Sequence, residues 1–121
     1  MKTYIGLDLG TSSIKGLLVD EFGTILKEHS ESYPIYFPKE NYSEQDPKDW
    51  LKKCLVVLKE LLNDENKECL KGISFGGQMH GLVMLDDKDE IIRNAILWND
   101  GRSTKETEYL NNVIGTKKLS E

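Results

Sequence analysis

The pattern of apolar and polar positions divides the chain into a β-rich first third and a mixed remainder. Residues 2–9 are rich in Ile, Leu and Tyr and end at Gly10. Ile14-Lys-Gly-Leu-Leu-Val-Asp20 is a second run of strand length. Glu21-Phe-Gly23 breaks it, with glycine at the position that tolerates positive φ. Residues 24–33 read as a third strand, with Ile25 and Leu26 packing and polar residues beyond. Consecutive short strands joined by tight turns predict an antiparallel meander. Residues 34–45, with Pro34, Pro38 and Asn41, read as an irregular connection.

A helix follows. Asp46 is a capping residue, Pro47 suits the first helical position, and Asp49 falls in the favourable first turn. Trp50, Cys54, Leu58 and Leu61, with Leu51, Leu55 and Leu62, recur at helical spacing and form the face expected to pack. The helix is expected to fade near Asn63. Residues 71–75 read as a short strand that runs into Gly76-Gly-Gln-Met-His-Gly81. Residues 82–85 and 90–93 flank Asp86-Asp-Lys-Asp89 as a hairpin, and 95–98 read as a further short strand. After the turn Asn99-Asp-Gly-Arg102, residues 103–114 read as a second helix. Ser103 and Glu106 fit a capping box and Gly115 a helix stop. Residues 116–121 read as a polar tail. The expected class is α/β: a β-meander followed by helix, strand, hairpin and helix.

At 121 residues the chain is expected to form one domain. Hydrophobic residues make up 38% and charged residues 31%, which suits a soluble globular domain rather than a disordered acidic tail. The net charge of −5 comes without a basic stripe, which argues against a nucleic-acid partner. No run approaches the ~18 apolar residues needed to cross a bilayer, which argues against a membrane partner. The first residues lack a signal-peptide apolar segment, so a cytoplasmic location is expected. Cys54 and Cys69 have neither metal-ligand spacing nor a CxxC pattern, and read as reduced, partly buried thiols. The acids at 86–90 lack the glycine and distal glutamate of an EF-hand and read as a solvated turn. His29 reads as a surface strand residue.

The most informative segment is Asp8-Leu-Gly-Thr-Ser-Ser-Ile-Lys15, a short turn between two strands. Gly10 lets the backbone approach a ligand closely. Successive N–H groups in such a turn can cradle phosphate oxygens, and the hydroxyls of Thr11, Ser12 and Ser13 add donors. Asp8 at a strand end can hold Mg²⁺, which keeps part of its hydration shell. Lys15 supplies a point charge for phosphate. The segment is not a Walker A loop. On spacing alone, an ordinary hairpin tip rich in Gly, Thr and Ser fits equally well.

Asp8-x-Gly-Thr-x-x-x-Lys15 between two strands resembles the first phosphate motif of the actin/Hsp70/sugar-kinase superfamily. Gly72-Ile-Ser-Phe-Gly-Gly-Gln-Met-His-Gly81 and Ala95-Ile-Leu-Trp-Asn-Asp-Gly-Arg102 resemble the FGGY carbohydrate kinases, and within them the xylulokinase subgroup. Ser43-Glu-Gln-Asp-Pro47 with Trp50 fits the same subgroup. The resemblance implies a ribonuclease-H-like domain and ATP-dependent phosphorylation of a ketopentose, D-xylulose, on its 5-hydroxyl. It implies that Asp8 is the Mg²⁺-associated acid and that Gly10, Thr11, Ser12, Ser13 and Lys15 meet the phosphates of ATP. It further implies that Gln78, Met79 and His80 line the sugar pocket, with Asn99, Asp100 and Arg102 lining or supporting it. Glycerol kinases of the family carry Gln-Arg-Glu where this chain has Gln78-Met79-His80, which favours a pentulose. Three of these assignments have a plainer alternative: packing for Met79, helix capping for Asp100, a surface ion pair for Arg102.

The resemblance also implies a longer, two-domain protein, with residues 1–121 forming the N-terminal part of its first domain. The general-base aspartate, the second phosphate motif and the adenosine pocket are then expected downstream. The 121 residues alone are expected to be inactive. An uncovered sheet edge or apolar face is expected to make the isolated chain self-associate or leave it marginally stable. Two other readings stay open: another FGGY kinase acting on ribulose or gluconate, and a non-catalytic nucleotide-binding module.

Overall fold

The computed structural model describes residues 1–120. Strands β1 (Thr3–Leu9), β2 (Ser13–Asp20) and β3 (Ile25–Ser32) form the expected antiparallel meander. Helix α1 (Pro47–Leu61) then carries the chain across the sheet. Strand β5 (Leu70–Gly77) returns parallel to β1, giving the order β3-β2-β1-β5. Two short strands, β4 (Glu44–Gln45) and β6 (Ala95–Ile96), pair separately. The chain closes with α2 (Thr104–Leu110), a π-helical turn (Asn111–Gly115) and the one-turn α3 (Thr116–Leu119). No described helix is long and apolar enough to cross a membrane.

Alternation along β1 and β2 decides which face is covered. Ile5, Leu7, Ile14 and Leu18 point to one face and join Tyr33, Val57 and Leu61 in the buried core. Each such aliphatic side chain contributes roughly 1.5–3 kcal/mol when fully buried. Asp8 and Lys15 point to the opposite, open face. Helix α1 lies close because residue 16 is glycine. A Cβ there would stand 2.4 Å from the Val57 methyl Cγ1 and 2.9 Å from Leu61 Cδ1. Asp46 caps the helix as expected, its side chain accepting from the Lys48 N–H at 2.9 Å.

Several expectations need correction. Leu51 and Leu55 are exposed, and the helix buries Val57 instead, because it faces β2 and β3 more than β5. Ile25 and Leu26 are also exposed. Near them the Lys27 ammonium donates to the Glu60 carbonyl at the end of α1. The 82–93 hairpin pairs as expected around 86–89 but only through an isolated Leu85–Ile91 bridge, without regular strands, and Leu82 pairs instead with Ile96. Ser103 makes no side-chain cap; the expected helix runs as α2 to Leu110 and on through the π-helical turn, and Gly115, at φ 97°, breaks it as expected. The polar tail holds the short α3. The 34–45 connection contains β4, which is buried. Cys54 and Cys69 are both free and half-buried.

Candidate functional site

Because β1 and β5 are parallel neighbours, their C-terminal ends open at one rim. In open α/β sheets this rim is where ligands bind. The 10–13 turn leaves β1 and the 78–81 turn leaves β5. The Gln78 N–H donates to the Leu9 carbonyl at 2.8 Å and holds the two together. Between them is an open cleft of about 450 Å³ lined by Asp8, Gly10, Thr11, Gly77, Gln78, Met79, His80 and Trp98. A second depression of about 440 Å³ on the open sheet face shares Asp8 and adds Lys15, Ser74 and Phe75.

The 10–13 turn has all its carbonyls engaged. The Gly10 N–H donates to the Ser13 carbonyl at 2.9 Å, and the Tyr33 N–H to the Ser12 carbonyl at 3.2 Å. The Tyr33 hydroxyl is shared between the carbonyls of Gly10 and Ser13. The Gln45 side-chain amide donates to the Thr11 carbonyl. Among the described residues the Thr11 and Ser12 N–H groups enter none of these bonds. The turn therefore offers donors outward and few acceptors, the arrangement an anion needs. A Cβ at position 10 would crowd the Ser13 carbonyl oxygen at 3.0 Å.

Asp8 stands at the rim, and its carboxylate enters no ion pair among the described residues. Its charge reaches Tyr33. Burial first, and Asp8 second, push the phenol up to about 12. Lys15 is the cross-strand partner of Asp8; its ammonium is half-exposed and 3.7 Å from Glu28. Ser12 is exposed at the tip and Ser13 starts β2.

On the other side, His80 holds a left-handed φ of 59°, a strained conformation for a residue with a side chain. Met79 and His80 are exposed at the cleft. Gln78 turns inward. Its Nε2 donates to Gln45 Oε1 at 3.1 Å and lies 3.4 Å from the Gly10 carbonyl, while its Oε1 is buried without a partner. The Trp98 indole donates to the Thr11 hydroxyl at 3.2 Å.

Asn99, Asp100 and Arg102 do not line this cleft. Asn99 is exposed beside it. Asp100 accepts from the Ser43 N–H at 2.6 Å, and Arg102 pairs with Asp100 at 2.7 Å and with the buried Glu44 at 2.6 Å. Arg93 adds a contact to Glu44 at 2.9 Å, and the Arg102 guanidinium stacks 3.8 Å from the Tyr42 ring centre. The Arg102 hydrogen bond, with help from the Ser43 N–H, holds the Asp100 carboxyl well below the usual carboxylate range. The same bond raises Arg102 above its ordinary value. This network ties residues 42–45 to the segment after β6. Gln45, Tyr33, Glu44 and Trp98 carry no role in the sequence reading. Their partners are backbone atoms and side chains distant in the chain, which no local spacing reveals.

Residues 3–121 match the family model for the N-terminal domain of the FGGY family of carbohydrate kinases. The chain belongs to this family. One relative, the xylulose kinase of Bacillus subtilis (strain 168), is 47% identical over 121 residues, covering 98% of this chain and 24% of its own length. The chain thus spans about a quarter of the length of the curated relatives it matches. The crystal structure of xylulose kinase from Rhodospirillum rubrum superposes with a TM-score of 0.88 at 28% identity, over 96% of this chain and 25% of that one. That of gluconate kinase from Lactobacillus acidophilus gives 0.86 at 28% identity, over 98% and 24%. The FGGY fold is thus that of the actin/Hsp70/sugar-kinase superfamily, and the backbone alone does not separate a ketopentose from an aldonate.

Proposed function

We propose that this chain is the N-terminal part of a kinase domain that transfers the γ-phosphoryl group of ATP to the 5-hydroxyl of D-xylulose, giving D-xylulose 5-phosphate and ADP. One observation carries the reading: a donor-rich turn and the Gln78-Met79-His80 turn face each other across one cleft at Asp8. The 47% identity to a protein named xylulose kinase supports the ketopentose over other sugars.

The donor set fits the nucleotide. The N–H groups of Thr11 and Ser12, the hydroxyls of Thr11, Ser12 and Ser13, and the Lys15 ammonium would hold phosphate oxygens, with Gly10 allowing close approach. Asp8, unpaired, would hold Mg²⁺, which when bound neutralises phosphate charge. Met79 and His80 would border the sugar, with the strained His80 backbone aiming its imidazole. Gln78 would shape the pocket floor from behind, since its amide nitrogen is committed to the 10–13 turn and Gln45. Asp100 and Arg102 would support the pocket from outside, and Asn99 would sit at its edge. The proton of the sugar hydroxyl needs a base. Asp100 is a poor acceptor, being buried and held ionised by Arg102. The base is therefore proposed to lie in the remainder of the kinase, and residues 1–121 alone to be inactive.

The test is ADP release from Mg-ATP by the whole polypeptide that carries this chain, with D-xylulose, D-ribulose, gluconate and glycerol in parallel. D-xylulose should give the highest kcat/KM. A preference for gluconate would keep the family and reject the substrate. Nucleotide binding without turnover on any of the four would favour a binding module.

A further inference from the structure

We infer that Gln45 is a positioning residue of this cleft: its buried side-chain amide fixes the 10–13 turn and Gln78 to one another. The inference rests on the kinase reading above. Gln45 is 1% exposed and lies in the two-residue β4, away from the cleft lining. Its orientation is determined. The Trp50 indole can only donate, and it does so to Gln45 Oε1 at 3.0 Å. Gln45 Nε2 must then face the other way, where it donates to the Thr11 carbonyl. The same Oε1 accepts from Gln78 Nε2 at 3.1 Å.

One side chain thus bonds to the turn after β1 and to the first residue of the turn after β5. Gln45 is itself held on its strand by pairing with Ala95. The preceding residues Ser43 and Glu44 are clamped by Asp100 and Arg102. Removing the amide frees the Thr11 carbonyl to rotate outward, where it would meet phosphate oxygens with the wrong sign. It also leaves Gln78, whose Oε1 already lacks a partner, without its best contact. Displacing a turn by as little as about 1 Å can cost on the order of 10²-fold in rate.

The experiment is steady-state kinetics of Gln45→Met in the whole polypeptide carrying this chain. Met fills the same space without donor or acceptor. The expected result is kcat lower by at least about ten-fold, with the D-xylulose KM within about three-fold, because the tie acts on reacting geometry rather than on uniform binding. A purely structural role would lower the folded fraction and leave kcat per folded molecule unchanged, and that result overturns the inference. If Gln45→Met does not fold, Trp50→Phe carries the test. It removes the bond that orients Gln45, along with part of the indole's packing on the core, so kcat is read per folded molecule. A kcat reduced by about three-fold or more with KM unmoved supports the inference, and an unaltered kcat rejects it. An active unsubstituted enzyme with an unaffected variant removes this inference alone. An inactive unsubstituted enzyme removes the kinase reading, and the inference falls with it.

Discussion

Asp8 and Lys15 are cross-strand partners in the β1–β2 pair, so the hairpin places a carboxylate and an ammonium on the same open face. Directly opposed residues have Cβ atoms about 4.5–5.5 Å apart. The two do not neutralise each other: the Lys15 ammonium leans to Glu28 and the Asp8 carboxylate stays unpaired. That leaves Asp8 available to a cation. Asp8→Asn should therefore lower kcat by at least about 10²-fold while leaving the fold intact, since no ion pair is lost. Lys15→Met should cost less, about ten-fold, because its charge is half-exposed and screened. Kinetics with circular dichroism as the folding control checks both. A near-normal kcat for Asp8→Asn contradicts the assignment.

Gly16 sets how closely α1 approaches the sheet. Its missing Cβ leaves room for Val57 and Leu61, both fully buried. Gly16→Ala should destabilise by about 1–3 kcal/mol through overpacking, and Gly16→Val by more. Urea denaturation should show a lower midpoint at unchanged slope.

The Asp100–Arg102 pair gives an acid-sensitive contribution to stability. Asp100 is lowered in the folded state, so its contribution is present above the unfolded value of about 4 and is lost as pH falls further. Arg102→Met should destabilise by about 3–5 kcal/mol near neutral pH, because Asp100 is left buried without a counter-charge and Glu44 keeps only Arg93. The difference between variant and parent should shrink at acid pH. A constant difference from pH 7 down to about 3 contradicts the pairing.

Tyr33 gives the opposite dependence. Its phenol is raised to about 12, so its contribution is complete below the ordinary value of 10 and is lost as pH climbs towards 12. Tyr33→Phe should cost about 1–3 kcal/mol by freeing the Gly10 and Ser13 carbonyls. It should also flatten the alkaline limb of the stability profile. Titration of tyrosinate absorbance should show a late-ionising step that the variant lacks.

Strand β5 forms an open sheet edge, with Phe75 70% exposed and Ile73 and Leu51 also exposed. An unpaired edge with apolar neighbours favours association. The 121-residue chain by itself should self-associate, and Phe75→Ser should raise its monomer fraction in light scattering. A stable monomer at high concentration contradicts this.

The meander and α1 were legible because their signals are local: a turn glycine at 23, an Asp46-Pro47 start, helical spacing. The parallel return of β5 was not, since nothing within residues 70–77 states which strand they join. Ile25 and Leu26 look like core residues, and only the fold shows them exposed. Asp8, Thr11 and His80 were legible through motif likeness. Gln45 lies in the Ser43–Pro47 motif, but its role, like that of Tyr33, was not legible, because each acts on the backbone of a turn more than 20 residues away. Asp100 and Arg102 were visible as charges, but only the fold pairs them with each other and with Glu44.

On the proposed function, two ligands meet at Asp8 from two different turns. The most direct test is hydrogen–deuterium exchange of the whole polypeptide with D-xylulose alone and with Mg-ATP alone. We expect D-xylulose to slow exchange around residues 76–82, and Mg-ATP to slow it around 9–15. Protection by Mg-ATP with no response to the sugar, or protection by either ligand away from both turns, would contradict the account.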